Sequence, residues 1–185
     1  MVRTKGIGVS LALLDTFRPG ATAATKARVP PESLDACLNL SDGTFVGAEH
    51  HHHIPRAIID ELGPQDAQAF FRFSVAHHLR APHWDWIVKA VDRFFGLDPG
   101  RFVRAVPRGF PVVYRDFGLA RVSEAGPQSA TLDIEECHPC VFEWPEYPES
   151  WQGFVGGFCD VTHYEGHVEA ILEPARERVR YRIVW

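Results

Sequence analysis

The spacing of apolar positions changes once along this chain. As far as about residue 117 they recur every three to four residues, which predicts helices; from Gly118 onward they alternate, which predicts strands. In the first part, Ile7–Phe17 reads as a helix stopped by Pro19-Gly20, and Pro30-Pro31 open a second over "PESLDACLNL". "SDGTFVGAEHHHHIP" reads as a loop. "IPRAIIDELG" is a short helix closed by Gly63, and Pro64 starts the next, in which Ala69, Phe70, Phe73 and Ala76 keep the helical period. Trp84, Ile87, Val88, Val91, Phe94 and Phe95 repeat it. Asp98 is a good N-cap with Pro99 behind it, but Pro107 and Pro111 predict a kinked or broken helix.

In the second part, "LARVSEA" and "SATLDIEEC" flank the turn residues Gly126-Pro127 and predict a hairpin over Gly118–Cys137. Ala130, Leu132 and Ile134 fall on one face, with Thr131, Asp133 and Glu135 on the other; Asp133, Glu135 and Glu136 read as a solvent face. A proline-rich loop leads to Ser150, which would cap a helix with a stripe of Trp151, Phe154, Val155 and Phe158. Two last strands, "HVEAILEP" and "RVRYRIVW", turn at Ala175-Arg176. The fold class is therefore α+β, with an N-terminal helical layer (1–117) followed by a ββαββ, mainly antiparallel sheet (118–185). We expect residues 1–185 to form a single domain.

Composition narrows the function classes. The chain has 185 residues and a net charge of −5, and its arginines are scattered singly, which argues against nucleic acid as a partner. Two basic residues before Ile7–Leu14 suggest a signal peptide, but Gly8, Ser10 and Asp15 break the apolar run. No stretch reaches the ~18 apolar residues of a membrane span, and four cysteines in this length are not a disulfide framework. The expectation is a cytoplasmic protein with reduced thiols.

The order of elements and the stretches "ELGP" (61–64), "GLDPGR" (96–101), "YRDFGLARV" (114–122), "WQGFVGGF" (151–158) and "YRIVW" (181–185) resemble a myxobacterial paralogous family of unknown function. That family is distantly similar to heme–nitric-oxide-binding and vinyl-4-reductase type ligand-binding domains. The resemblance implies a sensor-like or scaffold-like module, with heme as the cofactor to test. Heme–nitric-oxide-binding domains hold the heme propionates with a Tyr-x-Ser-x-Arg motif, whose expected place here reads Thr131-Leu132-Asp133-Ile134-Glu135. The helix from Pro99 to Phe117 has no histidine to serve as axial ligand, and His77, His78 and His83 lie elsewhere. No cofactor is expected.

Other chemistry is weighed on spacing. His50–His53 invite adventitious transition metals, but a polar loop explains them. Cys137 and Cys140 with Cys159 and His163 have the ligand types of tetrahedral zinc; a strand-end loop with reduced cysteines is the favoured reading, and no metal is expected. A redox role is disfavoured by Glu135, Glu136 and Glu143, which would raise a thiol pKa. Ser74 precedes His77 and His78 without a nucleophile elbow, and Gly153, Gly156 and Gly157 suit close helix packing better than phosphate binding.

What remains is a non-catalytic regulatory or ligand-sensing domain. Phe70, Phe73, Trp84, Phe94 and Trp151 are the candidate lining of a pocket for a small apolar ligand. The alternatives are a module that binds a protein partner or homodimerises without a small ligand, and a zinc-stabilised or thiol-dependent protein.

Overall fold

The computed structural model describes residues 1–3, 7–38, 44–80 and 98–185. The elements run β1 (Val2–Arg3), α1 (Ile7–Phe17), α2 (Ala21–Arg28), α3 (Pro31–Leu38), β2 (Phe45–Val46), α4 (Ala48–His51), α5 (His53–Leu62) and α6 (Pro64–Arg80). After the segment that carries Trp84 and Phe94, which lies outside the described residues, come α7 (Pro99–Val113), β3 (Leu119–Ala125), β4 (Ser129–Glu135), α8 (Cys140–Glu143) and α9 (Glu146–Val161). β5 (His167–Glu173), a 3-10 turn (Pro174–Arg176) and β6 (Arg178–Val184) complete the chain. The architecture is α+β: helices first, then ββαββ.

The four-stranded sheet has the order β3-β4-β6-β5 and is antiparallel throughout. Its register places Val122 opposite Leu132, Leu132 opposite Tyr181, and Ala170 opposite Tyr181. That alternation buries Ala130, Leu132, Ile134, Val179, Tyr181 and Ile183 together, because successive strand side chains point to opposite faces. α9 is joined to this layer by polar bonds as well. Tyr181 donates its hydroxyl to the Pro148 carbonyl at 3.2 Å, and the Gln152 amide donates to the Val168 carbonyl at 2.7 Å. Gly118, at φ +135°, opens the hairpin where any Cβ would stand 2.7 Å from the Glu135 carbonyl oxygen.

α6 crosses α9 at short range. A Cβ on Gly153 would lie 2.6 Å from Phe71 Cβ, and one on Gly157 would lie 2.7 Å from Val75 Cβ. The three glycines are thus a packing surface for α6, as their spacing suggests.

Several local expectations change. The histidine run is helical: α4 ends at His51 and α5 begins at His53, with only His52 between them. Gly47, in extended conformation, precedes α4, so the chain enters a helix where polarity suggested a loop. α7 is unbroken despite Pro107 and Pro111, and Asp98 caps it by accepting from the Gly100 N–H at 2.8 Å. α9 starts at Glu146, ahead of Ser150, because Pro148 falls in its first turn, where a missing N–H costs nothing. α2 and the small β1–β2 pair were not anticipated. Asp133 is not on a solvated face: it is 1% exposed and takes hydrogen bonds from Arg180 Nε at 2.7 Å and Nη2 at 3.3 Å.

Candidate functional site

Two aromatic groups hold the interior. The first joins Phe17 of α1 to Phe70 and Phe73 of α6, with ring centroids 5.6 and 5.8 Å apart. Phe70 is fully buried, Phe73 half-buried, and His77 stands beside Phe73 with its ring exposed. The second group is built on Trp151. Phe110, Tyr114, Phe117 and Tyr147 surround its indole at 5.3–6.2 Å, mostly edge-to-face, the arrangement that aromatic quadrupoles favour. α7, the loop behind it and α9 supply these rings. Phe102 stacks on Phe158 at 5.5 Å at the other end of α7. Of the five residues proposed to line one pocket, the structure places Phe70 and Phe73 in the first group and Trp151 in the second; Trp84 and Phe94 lie outside the described residues.

The second group has a polar margin where helices α4 and α5 meet the start of α9. Tyr147 donates its hydroxyl to the Ala48 carbonyl at 3.2 Å. Its hydroxyl oxygen is also 3.2 Å from His51 Nδ1, and the two rings are parallel within 11°. With the tyrosine proton spent on Ala48, His51 must donate through Nδ1, which fixes its tautomer. His52 Nδ1 lies 2.9 Å from Glu146 Oε1, and its ring stacks on Trp144 at 4.1 Å. Glu146 is 3% exposed, and among the described residues its Oε2 has no partner; neither does Trp151 Nε1. Burial drives the electrostatics here. Desolvation, helped by neighbouring His52, lowers the His51 pKa to about 3; desolvation raises Tyr114 to about 12 and lifts Tyr147 as well. The sequence offered this site only as a run of imidazoles. Its partners Trp144, Glu146 and Tyr147 lie some 94 residues away, counted from the His52–Glu146 separation, and no local pattern marks them.

The zinc ligand types are not brought together. Cys137 Sγ donates to the Ile134 carbonyl at 3.2 Å, Cys140 begins α8, and Cys159 is buried in α9 against Gly166. His163 is exposed just beyond α9. Among the described residues, no group of three or more His, Cys, Asp or Glu is placed to hold a metal. All four cysteines are free and buried, and burial pushes Cys37, Cys137 and Cys140 up to about 11. Thiols held protonated in this way are poor nucleophiles. A crevice of about 270 Å3 opens between α5, α6 and α9, with Ile59, Pro64, Phe71, Glu149 and Gln152 on its walls.

No family model matches the sequence, and no curated protein does. Solved structures share the fold over almost the whole chain. A structure determined to probe heme distortion in the H-NOX family superposes with a TM-score of 0.61 at 10% identity, covering 99% of this chain and 94% of the other. The Fe(II) unliganded H-NOX protein from K. algicida gives 0.60 at 13% identity, covering 98% and 95%. A structure addressing the molecular mechanism of H-NOX activation gives 0.59 at 11% identity, covering 100% and 96%. The chain thus has the heme–nitric-oxide-binding fold, as its resemblance implied.

The described residues do not fit a heme. The protein's part in heme binding is an axial donor and a shaped, dry pocket. α7 carries no histidine. Its inward side chains Val103 and Phe110 are buried, and the rings of Phe110, Tyr114 and Phe117 close directly onto Trp151 and Tyr147. Of the half-buried histidines at the margin of this group, His51 is held by Tyr147 and His52 by Glu146. His83 lies outside the described residues.

Proposed function

We propose that this chain is a non-catalytic regulatory domain that uses the heme–nitric-oxide-binding fold without heme. The observation that carries the reading is the closed aromatic centre around Trp151, facing an α7 that has no histidine. The enzymatic alternative loses support because the buried thiols are shifted away from reactivity. Among the described residues no other pairing of nucleophile and base stands out: the Ser74 hydroxyl donates back to the Phe71 carbonyl at 2.8 Å within its own helix.

The input we propose is a small apolar molecule taken up beside α6, with Phe70, Phe73, Trp84, Phe94 and Trp151 as its aromatic lining. The support is the wealth of aromatic residues on α6 and α9 within a fold shared with a structure determined to probe heme distortion in the H-NOX family. Neither a nucleic acid nor a membrane is part of the reading: the net charge is −5, and among the described residues no helix is long and apolar enough to cross a bilayer. We place the protein in the cytoplasm, where its four cysteines stay reduced.

A protein partner or a second copy is the other reading. Val112, Val113 and Leu119 favour it, since they stand exposed where α7 leads into β3. Protein purified from heme-supplemented cells is expected to show no Soret band, and native mass spectrometry is expected to show a monomer retaining a small organic molecule. A stoichiometric Soret band that shifts with nitric oxide would defeat the heme-free reading. A ligand-free dimer would defeat the small-molecule input in favour of homodimerisation.

A further inference from the structure

His51, His52 and His53 join the helical part to the sheet-bearing part at one point, the first turn of α9. His51 hydrogen-bonds Tyr147, and His52 hydrogen-bonds Glu146 and stacks on Trp144. His53 lies against His52, with ring centroids 4.0 Å apart and the planes tilted by 36°. Three imidazoles therefore share one turn of chain while a single buried carboxylate faces them. We propose that this triplet is an acid-sensitive latch: at neutral pH it holds α4 and α5 onto α9, and protonation of His51 and His53 opens it.

The site holds one buried carboxylate, Glu146, which His52 already engages and whose second oxygen has no partner among the described residues. A charge on His51 would have no carboxylate of its own, and charges on the neighbouring rings of His52 and His53 would stand 4.0 Å apart. Like charges at that range in a poorly solvated seam repel strongly.

The groups on the surrounding elements do not reverse this balance. His50, on the same turn, is tied to Ser33 of α3 at 3.2 Å and adds a further imidazole beside His53. Glu32 of α3 and Glu146 both attract a charge on His53, yet burial and His52 outweigh them and its pKa is lowered. From α9, Glu149 adds a carboxylate beside Glu146, and burial raises its pKa, so it gives up its charge early as the pH falls; Arg56 of α5 offsets part of that rise. The amino terminus adds positive charge near His51. Tyr147, Tyr114, Cys37 and Cys140 stay neutral throughout.

The sign follows from His51. Its pKa in the folded chain, about 3, lies below the ordinary 6.5. The stability it contributes is therefore complete above about pH 6.5 and drains away as the pH falls toward 3. His53 acts in the same direction. The latch rests on the regulatory reading above, but it requires neither a ligand nor the absence of heme.

Hydrogen exchange of the full chain, read by mass spectrometry at pH 7.5 and 5.0 and corrected for intrinsic rates, tests it. Amides of Ala48–Leu62 and of the first turn of α9 are expected to lose about tenfold protection at pH 5.0 while β4 and β6 keep theirs, the signature of a local opening. His51→Phe keeps a ring on Tyr147 without a titrating group and should abolish most of that loss. Should that variant fold poorly, the His51 ring signal in wild-type NMR serves instead, and it must titrate together with the opening. Equal protection at both pH values, or a loss that His51→Phe leaves intact, would overturn the latch. So would an ordinary His51 titration with no change in exchange. A Soret band in the same sample would count against the heme-free reading and leave this result untouched.

Discussion

Arg72 of α6 and Asp160 of α9 meet across the helix crossing in a two-point pair, Nε to Oδ2 at 2.9 Å and Nη2 to Oδ1 at 2.6 Å. The hydrogen bonds to Asp160 hold the guanidinium charge in place and raise its pKa further. Roughly a third of each side chain remains exposed, which limits what the pair contributes. In a double-mutant cycle with Arg72→Met and Asp160→Asn, urea unfolding should give a coupling energy of about 1 kcal/mol that shrinks in high salt. Strict additivity would show that the crossing is held by apolar packing alone.

That packing has its own test. Gly157→Ala adds a methyl 2.7 Å from Val75 Cβ and 2.8 Å from the Arg72 carbonyl oxygen. We expect a loss of about 2 kcal/mol, because the clash exceeds the ~1 kcal/mol that alanine offers a helix. Gly109→Ala is the control. Its Cβ meets nothing within 4 Å on α7, so there the propensity gain should appear as higher stability.

Asp133 sets an acid limit of a different kind. Burial opposes its charge, but hydrogen bonds from Arg180 and Ser123 outweigh that and hold the carboxyl below its ordinary range. A lowered folded pKa gives stability that is complete above the unfolded value, ~3.9, and is lost as the pH falls through the folded one. Asp133→Asn should cost about 2 kcal/mol at pH 7, since it leaves Arg180 with a weaker acceptor. The variant should also lack this part of the wild-type decline below about pH 4, which denaturation curves at several pH values would reveal.

The thiols should behave as core atoms. With Cys37, Cys137 and Cys140 pushed up to about 11 and all four sulfurs buried, native protein at pH 8 should label with a thiol reagent far more slowly than denatured protein. Added chelator should leave the melting temperature unchanged. Fast labelling of Cys140, or close to one zinc per chain that is lost on Cys140→Ser, would contradict the arrangement of Cys137, Cys140, Cys159 and His163 described above.

Much of the sheet was legible because alternation is a local property. The strands at 119–125, 129–135, 167–173 and 178–184 fall inside the runs that predicted them. The polar residues misled. Asp133 reads as a solvent-facing residue until Arg180, 47 residues on, is seen to cover it. The histidine run reads as a loop because its value as a helix end depends on docking to Glu146 and Tyr147. Phe70, Phe73 and Trp151 read as the lining of one pocket, but periodicity gives a helix face and not its neighbour, so it could not assign them to two separate ring groups.

Pro107 and Pro111 are one helical turn apart on α7. Neither has an N–H to give, so the carbonyls of residues 103 and 107 receive no rung from the helix. Pro107 is half-buried and Pro111 exposed, and both follow Val103 at i, i+4 spacing, so the missing rungs fall along one strip of the helix. α7 is therefore bonded unequally on its two sides, and its resistance to flexing is lowest in one plane. A helix of that kind is compliant along a chosen direction, so it can yield to a displacement at the aromatic centre where a fully laddered rod would pass it on to β3.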